Sequence, residues 1–212
     1  FRRVLFRSLP VNHLEFDGYV TLNGQLCLDR NRKLFYGNPI APEDAKRLIL
    51  VFERREMPVM IVEKDRMYLN FVNDAVRRAQ ADISTPVPET GVYTGEEIYQ
   101  FILYDRGWEA DELVRTLNQS RMIRWHERAV DVIPEKGGKV AGIRRFLEDC
   151  SISQEEIMAF GDGENDMDML KFAGTGIAMG NADTQVKAIA DEVTESVDEN
   201  GVVRALYRHG LL

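Results

Sequence analysis

The chain has 212 residues, 44% of them hydrophobic, with a net charge of −8, which supports one sizeable core or a core with a smaller second unit. The acid excess argues against nucleic acid as the main partner, because phosphate backbones need clustered Lys and Arg, and no apolar run nears the ~18 residues of a membrane span. Two cysteines, Cys27 and Cys150, lie far apart with no CxxC, which fits a reducing cytoplasm rather than a disulfide framework.

The opening FRRVLFRS (1–8) lacks an initiator methionine and the apolar centre of a signal peptide. The expectation is that the native start is absent or replaced and that folding logic begins near Leu9, with a bland amphipathic start as the alternative. YVTLNGQLC (19–27) alternates and turns at Asn23-Gly24, a strong hairpin signal. KLFYGNPI (33–40) reads as a strand, and Pro42-Glu43-Asp44 opens a helix reaching about Arg55. Strands follow over 58–64 and 67–72, then a short helix over 73–81 and a Pro-, Thr- and Gly-rich loop over 82–95. A strand at 97–104, a helix at 109–119 and strands at 121–126 and 129–134 complete this part. These strand-strand-helix units suit an antiparallel sheet with helices on one side.

From residue 139 the pattern changes. Helices over 139–149, 165–173, 183–190 and 201–208 alternate with strands over 157–161, 176–179 and 192–195. Such alternation implies a parallel sheet with helices on its faces. The expected fold class is therefore α/β, with an α+β insert over about 25–127 and an α/β remainder formed by the C-terminal third.

The chemistry concentrates after the strand at 157–161. IMAFGDGENDMDML (157–170) sets Asp162, Asn165 and Asp166 on a glycine turn at the carboxyl end of a strand, where open parallel sheets bind ligands. Asp162 and Asp166 approach one cation from loop and helix start, and hard carboxylate oxygens suit Mg²⁺. A calcium-binding loop is excluded, since its obligatory Gly and Glu positions hold Met167 and Ala173. A capped surface turn with solvated acids is the competing reading. PEKGGKVAGI (134–143) adds Lys136 and Lys139 between a strand and a helix, where an ammonium can neutralise phosphate or balance the acids. A solvated lysine at a helix start is the plain alternative.

Taken as a set, GDGENDMDML, the Gly-Gly-Lys segment before it and AGTGIAMGNA (173–182) after it resemble the haloacid dehalogenase superfamily, and most closely its Cof-type phosphatases with a large α+β cap (subfamily IIB). The resemblance covers most of the chain, including FDGYVTLNGQ (16–25) and the RWH…DVIP return (124–134). It implies a Rossmann-like core over 1–24 and 128–212, with the cap over 25–127. It implies a Mg²⁺-dependent phosphatase of small phosphorylated metabolites such as sugar phosphates, working through an aspartyl-phosphate that water then releases. Asp162 would be a Mg²⁺ ligand, Asp166 a second ligand or the holder of metal water and the lysine, Asn165 would contact the phosphate, and Asn23 and Gly24 the substrate. Lys139, five residues after Pro134, would be the catalytic lysine, with Lys136 the lesser candidate. The family's Asp-x-Asp nucleophile pair has no counterpart before FDGYVTLNGQ, so this chain is expected to lack the nucleophile segment and to be inactive as it stands. A non-catalytic phosphometabolite-binding or regulatory protein is the alternative.

Remaining candidates are weaker. Trp125-His126 lies near the expected return from cap to core, where a structural role outweighs a ligand role. His13 and His209 have no partners by spacing, so metal binding there is not expected. Tyr93, Tyr99, Phe101 and Tyr104 fit sheet packing better than ligand selection.

Overall fold

A computed structural model describes residues 16–105 and 107–212. The opening segment 1–8, the expected start at Leu9 and His13 lie outside the described residues. The chain divides into two compact units, residues 1–142 and 143–212, each with its own core.

The first unit begins with a three-stranded antiparallel sheet of β1 (Gly18–Thr21), β2 (Leu26–Asp29) and β3 (Leu34–Gly37). Between β1 and β2, Leu22–Gly24 form a single 3-10 turn in which Leu22 (φ 51), Asn23 (φ 52) and Gly24 (φ 87) all take left-handed backbone. Asn and Gly enter that region at least cost, so the expected Asn-Gly turn forms where the sequence placed it. Helix α1 (Pro42–Arg54) has Pro at its start and Glu43 and Asp44 in its first turn, and it ends at a left-handed Arg55.

A five-stranded antiparallel sheet follows, in the order β5-β4-β6-β8-β7. Its strands are β4 (Val59–Glu63), β5 (Met67–Leu69), β6 (Ile98–Tyr104), β7 (Ser120–His126) and β8 (Ala129–Pro134). Alternation sends Val59, Ile61, Phe101, Leu103, Val130 and Val132 to one face, against Leu48 and Phe52 of α1 and Ala110 and Val114 of α3 (Glu109–Val114). The opposite face carries Met60, Val62, Leu69, Tyr104 and Ala129 against Ala75, Val76 and Ala79 of α2 (Asp74–Asp82). Helices therefore cover both faces, which corrects the expectation of one covered side. The small apolar stripe of α2 is enough to seal the second face.

The helix expected over 109–119 stops at Val114. Buried Asp44 draws the next residues into a turn, accepting hydrogen bonds from the backbone N–H groups of Asn118 (3.1 Å) and Gln119 (2.9 Å). Strand pairing in this sheet runs on to Pro134, past residue 127, because β8 bonds to both β6 and β7.

The second unit is the expected alternation. Strands β9 (Met158–Gly161), β10 (Thr175–Ala178) and β11 (Glu192–Val193) are parallel, in the order β11-β10-β9. Helix α4 (Lys139–Cys150) begins in the first unit and ends in the second, followed by α5 (Met167–Phe172), α6 (Thr184–Ile189) and α7 (Gly201–Arg208). Ala159, Leu170, Ala178, Ala182 and Val186 form the core of this unit.

Candidate active site

The acidic turn leaves β9 at Gly161. A Cβ on Gly161 would lie 2.5 Å from the Cβ of Asp166, so only glycine lets Asp166 fold back over the strand end. Buried Asp166 acts as the clasp: its Oδ2 accepts hydrogen bonds from the backbone N–H of Asp162 (3.2 Å) and of Gly163 (3.1 Å). Asp162 itself is exposed, and its Oδ2 accepts a hydrogen bond from Asn181 Nδ2 at 2.8 Å. The Asn181 side-chain Oδ1 in turn accepts from Val197 N (3.2 Å). Asn165 sits half-buried in the Glu164–Asp166 turn, and its side chain makes no hydrogen bond among the described residues.

The donor set fits Mg²⁺. The turn brings together two carboxylates with hard oxygens, one exposed and one fixed by backbone N–H groups, and Mg²⁺ takes one or two carboxylates while keeping water and phosphate oxygens. Among the described residues no group of three or more His, Cys, Asp and Glu gathers as a metal centre.

In the first unit the structure brings Asn23, Gly24 and the lysine loop together. A Cβ on Gly24 would stand 2.2 Å from the Gly138 carbonyl oxygen, and one on Gly142 would stand 2.7 Å from Gly24 Cα. The Asn-Gly turn thus packs backbone to backbone against the loop that leads into Lys139. Arg121 ties that loop to β7, donating to the carbonyl oxygens of Gly137 (2.9 Å) and Glu135 (3.2 Å). Lys139 is half-buried at the start of α4, whereas Lys136 is exposed.

Asn23 Nδ2 donates to Asp131 Oδ2 (2.7 Å) and to Gln100 Oε1 (3.2 Å), while Trp125 Nε1 donates to Asp131 Oδ1 (2.8 Å). Asp131 is 8% exposed. Burial pushes its carboxyl up to about 6, against the hydrogen bonds of Asn23, Trp125 and Gln100 and the charge of Lys139, which favour the ionised form. Sequence reasoning missed Asp131, Gln100 and Asn181. For Asp131 a signal existed, since it is the one charge in the otherwise apolar strand AVDVIP.

The weaker candidates resolve into structure. His126 Nε2 meets Asp82 Oδ2 at 3.0 Å and its Nδ1 accepts from Arg128 N at 3.1 Å. His209, partnerless by spacing, meets Glu192 at 2.9 Å. Tyr99, Phe101 and Tyr104 are buried in the sheet, as expected.

The sequence profile of the haloacid dehalogenase-like hydrolases matches residues 3–206. The chain belongs to that family. This hydrolase is 33% identical over 205 residues to the "Putative phosphatase YkrA" of Bacillus subtilis strain 168, spanning 95% of the chain and 79% of that protein. Its structure is similar to BT1666, from the phosphatases of this superfamily in Bacteroides thetaiotaomicron, with a TM-score of 0.82, 29% identity, and 95% of this chain and 77% of that one covered. It is also similar to the subclass IIB sugar phosphatase BT4131, with a TM-score of 0.80, 30% identity, and 93% and 77% covered. The resemblance to Cof-type phosphatases is thereby established, and at the family level this is a phosphatase or related hydrolase. No helix among the described residues is long and apolar enough to cross a membrane.

Proposed function

We propose that this hydrolase is a cytoplasmic, Mg²⁺-dependent phosphatase of small phosphorylated metabolites such as sugar phosphates, with the core over 1–24 and 128–212 and the cap over 25–127. The observation that carries the reading is the clasped acidic turn: exposed Asp162 held by Asp166 through two backbone N–H groups, in a chain matched to the family over residues 3–206. Asp162 and Asp166 would hold Mg²⁺, whose role when bound is to offset charge on the transferring phosphoryl group. Asn165 offers an unengaged amide to a phosphate oxygen. Lys139 offers an ammonium to a phosphate, and Asn23 and Gly24 shape the substrate's approach to that lysine. BT4131 is named a sugar phosphatase, which supports the substrate class.

The second reading is a non-catalytic phosphometabolite-binding protein, which would hold the same kind of ligand without turnover. Calorimetric titration of the chain with Mg²⁺ in the presence of phosphate tests the first claim, and Asp162→Ala should abolish the heat. A wild-type chain that binds no Mg²⁺ sinks the reading. A metabolite-panel assay on the chain extended by whatever coding sequence precedes it separates enzyme from binder: turnover of a phosphate ester selects the first, and its absence across the panel selects the second.

A further inference from the structure

Asn23 is a substrate-binding candidate whose polarity the fold decides. Trp125 Nε1 is a donor only, so Asp131 Oδ1 must accept from it, and an ionised carboxylate can only accept at Oδ2 as well. The nitrogen of the Asn23 amide therefore faces Asp131, and its second N–H goes to Gln100 Oε1. Both donors of Asn23 are consumed. Its side-chain oxygen, Oδ1, has no donor among the described residues. An amide in that state cannot donate to a phosphate oxygen, and its carbonyl repels one.

We propose that Asp131 is a positioning residue: its carboxylate holds the Asn23 amide nitrogen inward, so that Asn23 meets the substrate with its carbonyl oxygen and selects phosphate esters whose organic part carries a hydroxyl or amine donor. The inference rests on the phosphatase reading and adds a specificity rule to it. Lys139 serves the phosphoryl group, and Asn23 serves the alcohol. An acceptor that a ligand covers without supplying a donor carries a penalty, so an ester that cannot donate is disfavoured at this position. Asparagine in place of Asp131 offers a donor as well as an acceptor. It lets the Asn23 amide turn over and present nitrogen instead.

The test uses the 212-residue chain labelled with ¹³C and ¹⁵N, with Mg²⁺ and three probes: inorganic phosphate, glucitol 6-phosphate and hexyl phosphate. Glucitol 6-phosphate should shift the Asn23 side-chain ¹³Cγ while its Nδ2 protons stay protected, and inorganic phosphate should move neither. The hydroxylated ester should bind at least about tenfold tighter than the alkyl ester, the discrimination one satisfied polar group gives. Asp131→Asn should bring that ratio close to one and deprotect the Nδ2 protons. Asn23→Gly, which keeps the left-handed backbone, should also erase the preference, so the test survives if the first variant folds poorly. The proposal is overturned if Nδ2 responds to phosphate, if wild type shows no preference, or if the preference outlasts both substitutions. Phosphate binding without ester preference sinks this inference alone, whereas failure of every probe to bind sinks the phosphatase reading together with it.

Discussion

Replacing Asp131 by Asn should change how the stability of the first unit depends on pH. The Asp131 carboxyl sits at about 6 in the fold against an ordinary value of 3.8. Between those values the folded chain holds a proton that the unfolded chain has released. Stability therefore falls as pH rises through that window, the reverse of the usual carboxylate. Below it both states are protonated and the contribution is complete, and above about pH 6 it is lost. A shift of roughly two pK units at 1.36 kcal/mol each amounts to about 3 kcal/mol. The variant carries no such proton. The difference in unfolding free energy, variant minus wild type, should therefore rise by about 2 kcal/mol between pH 4 and pH 7, most of that total. Any fixed offset from re-formed hydrogen bonds drops out of that slope. Urea unfolding at several pH values, followed by the fluorescence of Trp108 and Trp125, reads the first unit, because both tryptophans lie in it. A flat or falling difference would refute the claim that burial dominates at Asp131.

Three further outcomes are expected. Gly24→Ala adds a Cβ 2.2 Å from the Gly138 carbonyl at φ +87 and should cost about 3 kcal/mol in urea unfolding, whereas Gly95→Ala, at φ +97 with open space around it, should cost about 1 kcal/mol. Asp166→Ala strands the N–H groups of Asp162 and Gly163 and should cost about 2–3 kcal/mol, while Asp162→Ala at an exposed position should change stability by less than about 0.5 kcal/mol; calorimetry should show both losing Mg²⁺. Exposed Cys150 should react at once with an aromatic disulfide reagent, and buried Cys27 only after unfolding, as counted by thiol release over time.

Local signals carried much of the fold. Asn23-Gly24, Pro42 and the β–α alternation after residue 139 are each fixed by backbone geometry within a few residues, and each appears where its residue types require it. The acidic turn was legible for the same reason, since Asp162, Gly163 and Asp166 interact with one another. Long-range partnerships were not legible. The contraction of α3 depends on Asp44 catching Asn118 and Gln119. Covering of the second sheet face by α2 depends on which strands become neighbours. Asn23 could be named as a candidate, yet whether its side chain offers nitrogen or oxygen is set by Asp131, 108 residues away.

That separation also has a consequence in time. β8 is threaded between β6 and β7, so β7 has no strand to join until Pro134 has been synthesised. A nascent chain emerging from the ribosome carries β6 with an open edge until then, an exposure that invites chaperone contact or mispairing. Asn23 leaves the exit tunnel early and keeps its amide in water through that interval. The last strand to arrive both seals the sheet and delivers the acid that orients it.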